Sequence, residues 1–237
     1  MSKAIRAMQA QLKVDNYYKG HIDGLYGKLS QQALRQAIDD KKYKVYFDFD
    51  LYKQLFNKSR INQDFVNSIN GLFQVFNEYN AEDGTSFLNI AYCLASVHHE
   101  TNQTFLPLRE YGKGKGKPYG SNIDIDGSRY HGLDHIYYGR GYIQITWLTN
   151  YIKLGELLGI DLVNDPDKAM IPLVAAKILV VGCLRGLFTG KSLSDYIRSG
   201  SRLEFIRARR VVNGNDKSEL IATYAEKFLE CLILTKI

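Results

Sequence analysis

Residues 87–97 read FLNIAYCLASV, and no other stretch limits the fold of this chain as much. At helical spacing Phe87, Leu88, Ile90, Ala91, Cys93, Leu94, Ala95 and Val97 leave almost no side for water. A helix that is apolar all round has to be enclosed by other elements. With 237 residues the chain can do this as one large domain, or as a medium domain with a small appendage. The helix delivers His98, His99 and Glu100 at its C-terminal end. A charge there is costly unless it is paired or put to use. A second carboxylate, Glu110, follows after a polar turn and a proline.

The two carboxylates have different settings. The C-terminal end of a helix carries partial negative charge, and with an apolar surround it favours a neutral acid at Glu100. Pairing with a buried arginine is the alternative at that position. Glu110 is expected on a solvated loop, ionised and able to act as a base. One acid and one base is the division of labour that general acid/base hydrolysis needs.

The rest of the composition narrows the classes. The net charge of +6 favours anionic partners. No nucleic-acid motif accompanies it, and the run Arg207-Ala208-Arg209-Arg210 reads as a solvated helical face. Cys93, Cys183 and Cys231 lie in apolar helical patterns without CxxC spacing, so they read as buried free thiols in a reducing compartment, not as disulfides or zinc ligands. The N-terminus has no apolar signal core, and the run from Ile178 to Phe188 is too short to span a bilayer. Seventeen tyrosines offer flat amphipathic faces suited to sugars or to a half-buried core.

Residues 1–40 form a unit of their own in this reading. A helical stripe with Ile5, Met8 and Leu12 gives way to turns at Gly20, Asp23-Gly24 and Gly27, then to a helix capped by Ser30. The run Gln9 to Leu12, Tyr17-Tyr18-Lys19-Gly20, Ile22 to Gly27 and Ala33-Leu34 resembles the peptidoglycan-binding domain 1 family, without its usual Phe-Gln ending. That resemblance implies wall binding through Tyr18, Asp23 and Tyr26. Residues 41–50, DDKKYKVYFDFD from Asp39 onward, read as a linker whose alternation finds no obvious strand partner. Residues 51–237 read as mainly α-helical. Helices are expected over Ile61–Phe76, Leu148–Leu158, Asp165 to about Phe188, Ser201–Val211 and Asp216–Leu234, the last with an Asp216/Glu219 capping box. Asp83-Gly84-Thr85 reads as a turn that caps the buried helix.

Several unlinked motifs occur in order: HET at 99–101, Phe105, Pro107 and Glu110, Tyr119-Gly120, YYGRGYIQITWLTNY at 137–151, Asn164-Asp165-Pro166, and Val212-Asn213-Gly214. Together they resemble the catalytic domain of glycoside hydrolase family 19, which includes plant-like chitinases and phage endolysins. The short spacing between the glutamates resembles the endolysin branch. The resemblance implies a mainly α, lysozyme-like fold and inverting hydrolysis of β-1,4 glycosidic bonds. It implies Glu100 as general acid, Glu110 as general base and Thr146 as a holder of the attacking water. Gln144, Asn150 and Tyr151 would bind N-acetyl sugars, and His99 and Tyr138 would line the cleft. Arg140 would order the glutamates by charge pairing and Asn213 would close the far side. Trp147 would stack on sugar or pack in the core.

Weaker signals read as neutral. GKGKGKP at 112–118 lacks phosphate-loop spacing and reads as a cleft rim. His131 and His135 lack a third ligand, and Asp124 to Gly127 lacks a calcium-loop continuation, so no metal or other cofactor is expected. The expectation is a monomeric endolysin acting on bacterial peptidoglycan, made in the host cytoplasm and released to the wall by a holin. A chitinase on the same fold and a non-catalytic wall-binding protein are the alternatives.

Overall fold

A computed structural model describes residues 1–79, 86–117, 119 and 136–237. The turn at Asp83-Gly84-Thr85, the pair His131 and His135 and the stretch Asp124 to Gly127 lie outside the described residues. Helix α1 (Lys3–Val14) starts at Ser2, whose hydroxyl accepts from Ile5 N. It packs with α2 (Lys28–Asp39) over a small core of Ile5, Met8, Leu12, Ala33 and Leu34. Gln9, fully buried, organises the turns between them. Its amide donates to Asp23 Oδ1 (2.8 Å) and Leu25 O (3.0 Å), and its oxygen accepts from Gly24 N (2.8 Å). Gly24 has φ +75°, and a Cβ there would meet Ser2 O at 2.8 Å, so the turn requires glycine.

The segment read as a linker is a strand. β1 (Tyr43–Phe47) pairs antiparallel with β4 (Leu232–Lys236), with Val45 opposite Leu234. The partner lies at the far end of the sequence, which is why local pattern finds none. The other edge of β1 is closed by Asn77, whose side chain accepts from Val45 N and donates to Val45 O, both at 2.9 Å. Further contacts fix the first forty residues to the body. Lys3 N and Ala4 N donate to Glu230 Oε2 (2.9 and 3.2 Å), Asp15 Oδ2 accepts from Tyr43 (2.6 Å), and Asp15 pairs with Lys236 (2.7 Å).

The body is helical. α3 (Phe49–Leu55) is capped by Asp48 and α4 (Gln63–Glu78) by Asn62. α5 (Phe87–Glu100) is buried at every residue from Phe87 to His98, with Ser86 as its cap. Beyond it come a two-residue ladder of β2 (Leu108–Arg109) and β3 (Arg140–Gly141), then α6 (Leu148–Leu158). A 3₁₀ turn at Pro166–Met170 is followed by α7 (Pro172–Arg185). The single helix expected from 165 to 188 is therefore two pieces. Pro172 pushes Ile171 to an extended conformation (φ −71°, ψ 123°) and breaks it. α8 (Arg202–Ala208) carries a Ser201/Glu204 capping box, and α9 (Ser218–Glu230) has none. The box expected at Asp216 does not form, because Lys217 stands at the cap with φ 55°. The helix expected to reach Leu234 ends at Glu230, and the following residues join β1.

α9 packs along α5, with α7 and α8 adding to the enclosure, which satisfies the demand of an all-apolar helix. Among the described residues, no helix is long and apolar enough to cross a membrane, and the three cysteines are free and buried.

Candidate active site

α5 is not apolar all round. Tyr92, Ser96 and Glu100 recur every fourth residue and share one face. α8 docks on that face, with Phe205 stacked on Tyr92 (centroids 6.3 Å apart, planes 14° apart). The 3₁₀ turn Arg209–Val211 continues from α8 and brings Arg209 to the end of α5. Arg209 Nη1 lies 2.7 Å from Glu100 Oε1. The arginine is 1% exposed and the glutamate 21%. The contact is a charge pair, not an aligned hydrogen bond, and neither atom has another partner among the described residues. Arg209 Nε donates to Asp216 O (3.0 Å), and its carbonyl accepts from Asn213 N (2.9 Å).

Two expectations change here. The basic run is not uniformly solvated. Arg207 and Arg210 are exposed, but Arg209 falls on the side of Phe205 and Ala208 and turns inward. At Glu100 the buried-arginine alternative holds, so the helix end and apolar surround do not act on it alone. His98 does not touch the acid either. It sits in a cage of Phe56, Phe105, Tyr224 and Phe228 at 4.6–5.8 Å, and burial lowers its pKa to about 3. His99, beside Glu100, is half-buried.

Glu110 follows β2 and is held by β3's lead-in. Its amide donates to Gly139 O (2.7 Å), and its Oε2 accepts from Gly139 N (2.9 Å). The carboxylate is half-buried and anchored, not a free loop side chain. A Cβ on Gly139 would lie 2.8 Å from Gln144 Oε1, 3.2 Å from Gln144 Cβ and 3.3 Å from Glu110 Cβ, so a larger residue there has to shift both side chains. Gln144, at φ 55°, donates to Leu108 O (2.7 Å) and Gly141 O (3.2 Å). Its amide nitrogen is thus committed to the ladder that carries Glu110.

Arg140 does not pair with either glutamate. It is 5% exposed, and its Nε meets Asp167 Oδ1 at 2.7 Å. It also donates to Ile136 O, Tyr138 O and Tyr151 Oη, and its guanidinium lies 3.6 Å over the Tyr138 ring. Arg109 reaches the same Asp167 oxygen at 2.5 Å and the Tyr138 hydroxyl at 3.1 Å. Bonds from Arg109 and Arg140 hold the Asp167 carboxyl below its usual range. The result is a clamp between the 3₁₀ turn and the β2–β3 ladder.

The remaining expected residues divide. Tyr151 is fully buried, donates to Tyr138 O (2.8 Å), and has its phenol pushed up to about 12 by burial, so it supports the wall instead of facing a ligand. Tyr138 is buried in the same network. Thr146 and Asn150 are half-buried, joined by an Asn150 Nδ2 bond to Thr146 O (2.7 Å). Trp147 is 40% exposed, with φ 71° and its ring edge-on to Tyr119 at 4.9 Å, so it offers a face to solvent and not to the core. Asn213 is exposed on the turn after Arg209. In the N-terminal unit, Tyr18 and Tyr26 are buried. Tyr18 donates to His21 O, Asp23 serves Gln9 and Leu25, and Tyr26 lies against Ser86 and Phe87 at the start of α5. All three support the fold; the large apolar side chains that the unit exposes are Met1, Val14, Ile22, Leu25 and Leu29.

A helical body around one buried helix, with a carboxylate at its end and a second on a small β-ladder, defines a lysozyme-like hydrolase architecture. The chain belongs to glycoside hydrolase family 19: the sequence model of Chitinase class I matches residues 62–181, half of its length. Chitinase 11 of Oryza sativa subsp. japonica is 34% identical over 96 residues, 35% of this chain and 38% of that protein. Endochitinase A2 of Pisum sativum and Inactive chitinase-like protein 1 of Hevea brasiliensis are each 58% identical over 31 residues, 13% of this chain and 10% of each relative. The chain thus spans between 10% and 38% of the length of these curated relatives. The crystal structure of chitinase C from Streptomyces griseus HUT6037 shares the fold, with a TM-score of 0.51 at 21% identity over 75% of this chain and 72% of that one.

Proposed function

We propose that this chain is a peptidoglycan hydrolase of the endolysin type, cleaving the β-1,4 bonds between N-acetylmuramic acid and N-acetylglucosamine with inversion. The observation that carries the reading is the pair of differently held carboxylates. Glu100 has one oxygen buried against Arg209, which fixes the rotamer and leaves the other oxygen to carry the proton that goes to the leaving glycosidic oxygen. Glu110, whose carboxylate accepts from the Gly139 amide, acts as the base that takes a proton from water. Thr146 helps hold that water. Inverting enzymes keep such carboxyl groups roughly 6.5–9.5 Å apart so that water fits between them and the sugar. Trp147, Asn150, His99 and Asn213 are the side chains left to meet sugar rings. No metal or organic group has a part in this chemistry.

The choice of peptidoglycan rests on the residue pattern of the first forty residues, on the short glutamate spacing and on the +6 charge facing a polyanionic wall. The enzyme would be made in a bacterial cytoplasm, act as a monomer and reach the wall through a phage holin. The named relatives favour a second reading, a chitinase acting on N-acetylglucosamine polymers. One relative is named inactive, so kinship alone does not decide activity. Incubation with purified sacculi and with chitin oligomers, followed by mass spectrometry of the products, separates the readings. Release from chitin alone sinks the endolysin assignment. Glu100→Gln should abolish hydrolysis of whichever substrate is cut, and retained hydrolysis rejects the acid role.

A further inference from the structure

A polar cavity opens next to the turn that follows α5. It has a volume of about 480 Å³ and is lined on its polar side by Lys58, Arg60, Asn62, Asn102, Gln103 and Thr104. Its lining includes no aspartate or glutamate. Lys58 Nζ donates to the neutral Gln103 Oε1 (2.8 Å), and among the described residues neither Lys58 nor Arg60 is paired with a carboxylate. Unpaired cations converging on a cavity form an anion site in waiting, since opposite charge and hydrogen-bond donors are already assembled.

The cavity is tied to the catalytic end of α5. Asn102 and Gln103 form the turn directly after Glu100, and their amides bond His99 O (3.2 Å) and His98 O (2.7 Å). Both have left-handed backbones, at φ 48° and 68°. Two consecutive non-glycine residues in that region store strain, which the helix end over-determines. Gln103 is three residues from Glu100, so their Cα atoms are at most about 11 Å apart. The cavity and Glu100 therefore flank the same turn at the end of α5.

We propose that this cavity receives the carboxylate-bearing peptide branch of a glycan substrate. The inference rests on the peptidoglycan reading above and extends it. Lys58 and Arg60 meet carboxylates, the amides of Asn62, Asn102 and Gln103 match peptide groups, and Leu106, 37% exposed, offers an apolar edge to methyl side chains. An N-acetylglucosamine polymer carries no charge and would leave both cations without a partner.

The test uses the full chain, as wild type, K58Q/R60Q and K153Q/K191Q. The last pair is exposed and removes the same net charge elsewhere. Each protein is assayed on native sacculi and on sacculi whose carboxyl groups have been amidated, with chitin oligomers as a third arm. Wild type should show KM about tenfold higher on the amidated wall, with kcat little changed. K58Q/R60Q should show the raised KM on native sacculi and no further response to amidation, while K153Q/K191Q should follow wild type. A K58Q/R60Q enzyme with wild-type KM, or one that still responds to amidation, overturns the cavity assignment and leaves the endolysin reading standing. Cleavage of chitin but not of sacculi removes both.

Discussion

Arg209 is the residue whose replacement says most about this site. It is 1% exposed, it is paired with Glu100 at 2.7 Å, and its Nε holds Asp216 O. Glu100→Gln leaves a buried guanidinium without a counter-charge, a situation that costs about 3–5 kcal/mol in well-buried pairs. Arg209→Met leaves Glu100 unpaired, but the 21% exposure of that side chain lets water compensate in part. About 2–3 kcal/mol for the pair, with about 1 kcal/mol for the lost bond to Asp216 O, is the expectation. At about 2–4 °C per kcal/mol for a chain of this size, Glu100→Gln should lower Tm by roughly 6–20 °C and Arg209→Met by roughly 6–16 °C. The double variant should cost less than the sum, with a coupling near 2 kcal/mol. Arg207→Ala, two residues away and exposed, should stay within about 0.5 kcal/mol of wild type. Denaturant titration followed by far-UV circular dichroism measures all four. The reasoning fails if Arg209→Met is as mild as Arg207→Ala, or if the two single changes add without coupling.

Other outcomes follow from the same contacts. Burial holds His98 at a pKa of about 3 in the folded chain against 6.5 when exposed. The unfolded chain therefore takes the proton first as pH falls. The stability due to neutral His98 is full above about pH 6.5 and is lost between there and about pH 3, at up to 1.4 kcal/mol per pH unit. At pH 5 the loss should be about 2 kcal/mol, and His98→Phe should remove that share of the slope in denaturant titrations across pH 4–7. Gly139→Ala forces a Cβ against Gln144 and Glu110; kcat should fall about tenfold or more with KM little moved, as measured by steady-state hydrolysis. Asp167→Ala strands the buried Arg140 and frees Arg109. It should cost about 2–3 kcal/mol in a melt and reduce kcat, with partial recovery in Asp167→Glu. A chain lacking residues 1–42 uncovers Tyr43, Ser86 and the α1-facing side of β4, so it should lose about 2 kcal/mol or more and melt at least about 4 °C lower by calorimetry.

The parts of the fold legible in the sequence are those written in local period. The apolar run at 87–97 demanded enclosure and is enclosed, and α6 occupies Leu148–Leu158 as its pattern predicts. What local period cannot carry is a partner distant in sequence. β1 alternates as a strand does, but its mate lies near residue 234. Arg209 sits in a run of basic residues, and only the packing of Phe205 on Tyr92 selects it over its neighbours. A trace was present, since Tyr92, Ser96 and Glu100 mark a narrow polar seam on a helix read as having none. Arg140 stood out as a charge beside the glutamates, but its counter-charge, Asp167, arrives from a turn that only the tertiary fold brings near. The break at Ile171-Pro172 was readable from proline stereochemistry alone.

The pairing of β1 with β4 also sets an order of events for a chain leaving the ribosome. The two strands are roughly 185 residues apart, so joining them closes a loop that costs several kcal/mol of chain entropy before any contact repays it. Until residue 236 has been synthesised, Val45 and Phe47 have no strand beside them, and α1 lacks part of the surface it rests on. α9, the main cover of α5, arrives only shortly before. α5 is thus the element made early and sheltered late, exposed meanwhile to other chains and to chaperones. A nascent or truncated product would lack both elements that close around α5, so on the proposed reading its hydrolytic activity would stay silent until translation has run through them.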